Sequence, residues 1–282
     1  MGLPLPWPFE RDYMQLALVV GLVIGTCAPL VGAFLVQKQM ALMGEGIGHL
    51  AFAGVAAGLL LSISPLWTAL GVAVVGALLV EWLRGRGKAS GDLALALFFY
   101  GGIAAGAVFA SRAAAEGISV NVMPYLFGSI LTVSPEDVWV VAAIGTLIVA
   151  CTLVAGRALL SVVLDDGAAR VAGIPVDGLN ALLAILTAVT IVAATRIVGV
   201  LLIAALMVLP VASSRLIARS FRTTIVGAAG IGALSTVIGL AAARMWGLAP
   251  GGAIVLVATG IFAIVAGITG TTRAGFSLPS HH

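Results

Sequence analysis

The chain has 282 residues, 61% of them hydrophobic and 9% charged, with a net charge of +3. A soluble domain is about 45–50% apolar and about 25% charged, so the composition excludes a soluble enzyme or binding module and points to a polytopic membrane protein. The small positive balance requires no nucleic-acid partner, because membrane proteins collect Lys and Arg in their cytoplasmic loops.

The N-terminal stretch "MGLPLPWPFERDYMQ" lacks the basic, apolar and small-residue order of a signal peptide, and Trp7 and Phe9 suit a membrane interface. Crossing a hydrocarbon core of about 30 Å takes roughly 20 apolar residues. Such runs are predicted near 13–36, 41–61, 66–83, 92–111, 134–156, 178–194, 197–213, 223–243 and 250–269. The fold class expected is therefore all-α, a transmembrane helical bundle of about nine spans, with eight to ten as the range. Residues 1–282 read as a single domain with its membrane core over roughly 13–270. The runs at 178–194 and 197–213 are short and meet at "ATRIVG", as a tight hairpin or as one broken helix. Cys27 and Cys151 lie inside apolar runs and read as buried structural thiols. His281 and His282, at the extreme end, read as a tag remnant.

Loop charges orient the chain. If Arg84, Arg86 and Lys88 are cytoplasmic, alternation puts Arg157, Arg170, Arg215, Arg219, Arg222 and Arg273 on that side, and only Arg112, Arg196 and Arg244 opposite. That asymmetry follows the positive-inside tendency and puts Lys38 inside and the N-terminus outside. Two loops are long. The outer one, 112–133, contains "PYLFGSIL", too short to span and expected as a re-entrant or interfacial segment. Its Glu116, Asn121 and Met123 are candidates for an outer gate. The inner loop covers 156–180.

Within the second span, "MGEGIGHLAFAGVAAGLLL", Glu45 and His49 stand four residues apart and so share a helix face. An ionisable group at the bilayer centre costs about 2.5–3.5 kcal/mol on insertion scales. A divalent metal offsets that cost, since carboxylate oxygen and imidazole nitrogen both ligate zinc and manganese. A neutral His bonded to Glu purely for packing is the plainer alternative, and a proton relay is another. Glycines 44, 46, 48, 54 and 58 surround the pair. They serve a close helix seam, or unwind the helix start so that carbonyls reach an ion.

In the inner loop, "LDDGAARVAGIPVD" predicts a short amphipathic helix: Asp165 or Asp166 as N-cap, Gly173 as its end, and Pro175 against resumption. Ala168, Ala169, Val171 and Ala172 form its apolar positions, suited to another protein's groove. No Walker A pattern occurs, since "GRGKAS" lacks Ser or Thr directly after Lys88, and no HExxH signature is present. The chain is expected to be a non-enzyme: any ATP that drives it binds a separate subunit.

Four stretches together resemble a known family, the permease subunits of bacterial zinc, manganese and iron(II) ABC importers. "GEGIGHLAFAGVA" is similar to its G-[DE]-x-x-x-H-x-x-x-x-G-V-A signature, "PYLFGSIL" to its Leu-Phe-Gly segment, and "DDGAARVAGIPV" to its coupling loop. "RIVGVLLIAALMVLPVASSRLIAR" is similar to its run of IVGxLL, proline, small residues and Arg. The order is collinear from about Met40 to Gly270. The resemblance implies a homodimer in the bacterial cytoplasmic membrane. It also implies two cytoplasmic ATPase subunits, an extracellular or periplasmic metal-binding protein, and no permanently bound cofactor. It implies metal coordination by Glu45 and His49, and ATPase coupling through Asp165, Asp166, Ala168, Ala169, Arg170 and Gly173. Many members have Asp where Glu45 stands, and many have Asp where this chain has Ser129. Imidazole favours zinc as the ion, with manganese and iron(II) as alternatives. A proton-coupled secondary transporter, a permease for siderophore or cobalamin, and an intramembrane metalloenzyme are the competing readings.

Overall fold

The computed structural model describes residues 6–85, 91–118, 122–130, 133–195, 197–200 and 202–274, the side chains of 91–92 and 270–274 excepted. Helices follow in the order α1 Asp12–Gln37, α2 Met43–Leu60, α3 Pro65–Gly85, α4 Gly91–Ala115, α5 Met123–Phe127, α6 Pro135–Leu164, α7 Asp166–Val171, α8 Val176–Ala194, α9 Ile203–Ile217, α10 Phe221–Trp246 and α11 Pro250–Ala274. Among the described residues, eight of these are long and apolar enough to cross a membrane, and α9 is a shorter apolar helix. The chain is thus a multi-pass transmembrane helical bundle.

Helix ends follow local chemistry. Ser134 opens α6 with a capping box: its Oγ accepts from Asp137 N at 3.3 Å, and Asp137 Oδ2 accepts from Ser134 N at 2.8 Å. Ser220 opens α10 in the same way with Thr223. Such caps satisfy amides that a helix start leaves without partners. Gly247 ends α10 in the left-handed conformation.

Burial sorts the helices into layers. In α1, α2 and α8, 67% of the most apolar stretch is buried, against 17–33% in α3, α4, α6, α10 and α11. Helices α1, α2 and α8, with α9, form the centre, and the others surround them. Backbones meet at glycine: a Cβ on Gly25 of α1 would lie 2.8 Å from Gly232 O of α10. Without a hydrophobic drive between helices in lipid, this close approach supplies the packing. Cys27 is buried and its thiol donates to Gly145 O at 3.7 Å.

Two expectations change. Helix α6 runs on to Leu164, so the inner loop is shorter than 156–180 and Arg157 sits exposed on a helix. At about 1.5 Å per residue, thirty residues exceed the hydrocarbon thickness. Helix α2 is regular through all its glycines, so the start of that helix is not unwound. The chain breaks between α8 and α9, at the junction that the sequence predicts as a hairpin or a broken helix. It joins two helices that both pack on α1 and otherwise differ in their main neighbours, α8 on α3, α6 and α2, and α9 on α10 and α11. Val200 N donates to Tyr125 O at 2.9 Å, which ties this break to the α5 segment. Gly199 has φ +83, and a Cβ there would sit 2.3 Å from Leu126 O. The five-residue helix α5 is too short to span and is tied to the break through the Tyr125 carbonyl, as the expected re-entrant or interfacial segment requires.

Candidate functional site

Glu45 and His49 both lie on α2, one turn apart. His49 is 8% exposed, and its ring stands edge-on to Phe99 of α4 with centroids 4.4 Å apart. Glu45 is half-buried. It lines a cavity of about 300 Å³ with Leu42, Gly46, Leu95, Ala96, Phe99 and Tyr100. Two of these, Leu42 and Tyr100, are 64% and 69% exposed, so the cavity opens at the rim of the bundle.

Position is set by the α2–α4 seam. A Cβ on Gly102 would lie 2.7 Å from His49 C and 2.8 Å from Leu50 N, so only glycine lets α4 press against the backbone that carries His49. On the other side, a Cβ on Gly48 would come 3.0 Å from Val200 O. His49 is thereby held between α4 and the α8–α9 break. Phe99, Tyr100 and Gly102 complete the site and were not singled out from sequence. The run "FFYGG" carried the signal, as aromatics beside paired glycines inside a span. Among the described residues, no three of His, Cys, Asp and Glu come together in a group able to hold a metal. One protomer offers two ligands.

The helix expected as the elbow is α7. Asp165 caps it, its Oδ1 accepting from Ala168 N at 2.9 Å. The helix ends at Val171, Gly173 follows with φ +77, and Pro175 is the N-cap of α8. Its six expected coupling residues divide. Ala168, Arg170 and Gly173 are exposed, while Ala169 is buried against Val162 and Val176. Ala169 therefore anchors the elbow rather than facing outward. Val171 is 91% exposed and Leu164 62%. Arg170 pairs with Asp177, Nη1 donating to Oδ2 at 3.2 Å, and that carboxylate raises the guanidinium above its ordinary value. Asp166 turns back toward the bundle, 3.5 Å from Lys38 Nζ.

On the other side of the bundle, Glu116 pairs with Arg112 at 2.9 Å with both side chains solvated, a contact of the kind that contributes little. Met123 begins α5 and is 60% exposed. Asn121 lies outside the described residues.

The sequence matches the profile of the ABC 3 transport family over residues 10–268. It is 31% identical over 255 residues to the manganese import system permease protein ScaB of Streptococcus gordonii, covering 90% of this chain and 91% of that one. It is 30% identical over 253 residues to the manganese transport system membrane protein MntC of Halalkalibacterium halodurans, covering 90% and 86%. The fold superposes on a chain of PsaBC from Streptococcus pneumoniae, solved in complex with Fab, with a TM-score of 0.81 at 28% identity, covering 91% and 92%. With the membrane bundle, the matched profile and these relatives together, the chain belongs to the ABC 3 transport family, as a multi-pass protein of the bacterial cytoplasmic membrane.

Proposed function

We propose that the chain is the permease subunit of an ATP-driven importer of a divalent transition metal, with manganese as the cargo. The observation that carries this reading is the Glu45–His49 pair, one turn apart on a central helix, with Glu45 on a cavity at the bundle rim. Left against lipid, that carboxylate would meet hydrocarbon at a cost of about 2.5–3.5 kcal/mol. A second copy across a two-fold axis covers it and brings a second Glu45–His49 pair to the same pathway. Four ligands of mixed oxygen and nitrogen then suit a first-row divalent ion. Carboxylate oxygen accommodates manganese well, and the relatives are named for manganese, one for its transport and one for its import. Imidazole keeps zinc as the second reading.

Transit follows from the chemistry of the donors. A delivering protein on the outer side releases the ion, with Glu116 and Met123 at the rim as gate candidates. Glu45 and His49 replace part of its water shell. A site with few donors per protomer binds weakly enough to release, as conduction requires. Energy comes from ATPase subunits docked on the elbow, whose exposed face of Leu164, Ala168 and Val171 is apolar and small. The chain itself hydrolyses nothing.

Reconstitution tests this reading. The permease is placed in vesicles with its ATPase and delivering protein, and accumulation of manganese and of zinc is followed with and without ATP. ATP-dependent accumulation of manganese is expected. Accumulation of zinc alone transfers the assignment to zinc. Uptake driven by a pH gradient without the ATPase favours a proton-coupled transporter and contradicts the proposal.

A further inference from the structure

Lys38 joins three separate parts of the inner face. It is the C-cap of α1, and its side chain is only 7% exposed. Its ammonium donates to Asn180 Oδ1 in the first turns of α8 and lies 3.5 Å from Asp166 Oδ1 at the start of α7. Burial pulls Lys38 below the ordinary lysine value and the Arg84 charge adds to this, while Asp166 and Glu81 oppose it. A cation this deeply covered is retained only where its partners repay desolvation. A positive-inside charge needs only to face the cytoplasm, so orientation alone does not explain the burial.

The chain beyond Lys38 is a stiff connector. Lys38 N donates to Phe34 O at 2.9 Å and Met40 N to Leu35 O at 2.8 Å, with Gln39 at φ 60 between them. A non-glycine residue in that conformation marks a turn fixed by its surroundings. Helix α2 begins at Met43, so Glu45 stands seven residues beyond Lys38, with the fixed turn and the helix start between them. Asp166, meanwhile, sits next to the exposed face of α7 and points away from it.

We infer that Lys38 is the positioning residue through which movement of the elbow reaches the helix bearing Glu45 and His49. Docked ATPase subunits push α7, Asp166 carries the displacement to Lys38, and the α1–α2 turn passes it to α2. Asn180 holds the ammonium in line. The inference rests on the importer reading above and adds the residue that links its two ends.

The test measures metal ions moved per ATP hydrolysed by the complete permease–ATPase complex in vesicles, with manganese as the probe. Lys38→Met and Asp166→Asn are each expected to lower this ratio at least tenfold, and Asp166→Glu to keep it within about threefold of wild type. Co-elution with the ATPase is followed for each variant. Should Lys38→Met not assemble, Asp166→Asn decides, since Asp166 is partly solvated and its amide keeps the same shape. A wild-type ratio in Asp166→Asn overturns the inference, while wild-type uptake shows that the importer reading stands. A wild-type complex that moves neither manganese nor zinc on ATP overturns the importer reading and this inference together.

Discussion

Around Glu45 and His49 the chain holds its helices together by backbone approach, and around Asp166 it holds them by charge. At the α2–α4 seam, Gly102 presses on the His49 backbone, and among the described residues no ion pair joins the two helices. Around α7, Lys38, Asp166 and Asn180 meet from three helices, with Glu81 and Arg84 paired at 2.9 Å on a fourth. The difference follows the local dielectric. Inside lipid, every extra polar group carries a large penalty, so geometry is fixed by removing side chains. At the membrane surface, charges are affordable and can rearrange, which suits a part that moves. On the proposed function, a rigid site on α2 and an adjustable elbow are what an importer driven from one side requires.

The sharpest way to break this contrast is at the seam. Gly102→Val would force α4 off the His49 backbone, and overpacking of this kind costs about 1–3 kcal/mol, occasionally more. Manganese uptake should fall to background with a lowered melting temperature, measured together in the purified complex. Next in size is Val171→Asp on the exposed elbow face. It should leave the permease folded and weaken ATPase binding at least tenfold in a titration of the two subunits. Smaller again is Asp165→Ala, which removes the α7 cap and costs about 1 kcal/mol. Uptake should drop several-fold, and hydrogen exchange across 166–172 should quicken. At the far end of the scale, Glu116→Ala breaks a solvated pair worth about 0–1 kcal/mol. A loss of uptake there would show that the outer rim carries more than the solvated pair accounts for.

What could be read from the sequence alone was whatever sits in one contiguous stretch. Spans announce themselves as runs of about 20 apolar residues, and Glu45 and His49 are conspicuous because they interrupt one. The α7 cap was legible for the same reason, Asp165 and its amide partner Ala168 being three residues apart. Long-range partners were not. Lys38 reads as an ordinary loop charge, and its bond to Asn180 spans 142 residues. Ala169 and Ala168 are chemically identical, and only packing decides that one is buried while its neighbour is exposed. The end of α6 was missed because Arg157 looks like a loop residue. A helix that outgrows the bilayer carries its charges into water without ending.

The proposed import route runs between the carboxylate and the imidazole on α2. Its plainest test is ATP-dependent manganese accumulation by vesicles containing the complete complex, with Glu45→Ala and His49→Ala beside wild type and ATPase co-elution followed for all three. Accumulation by wild type, and background levels in both variants that still bind the ATPase, is the result predicted. Wild-type accumulation by either assembled variant would contradict it.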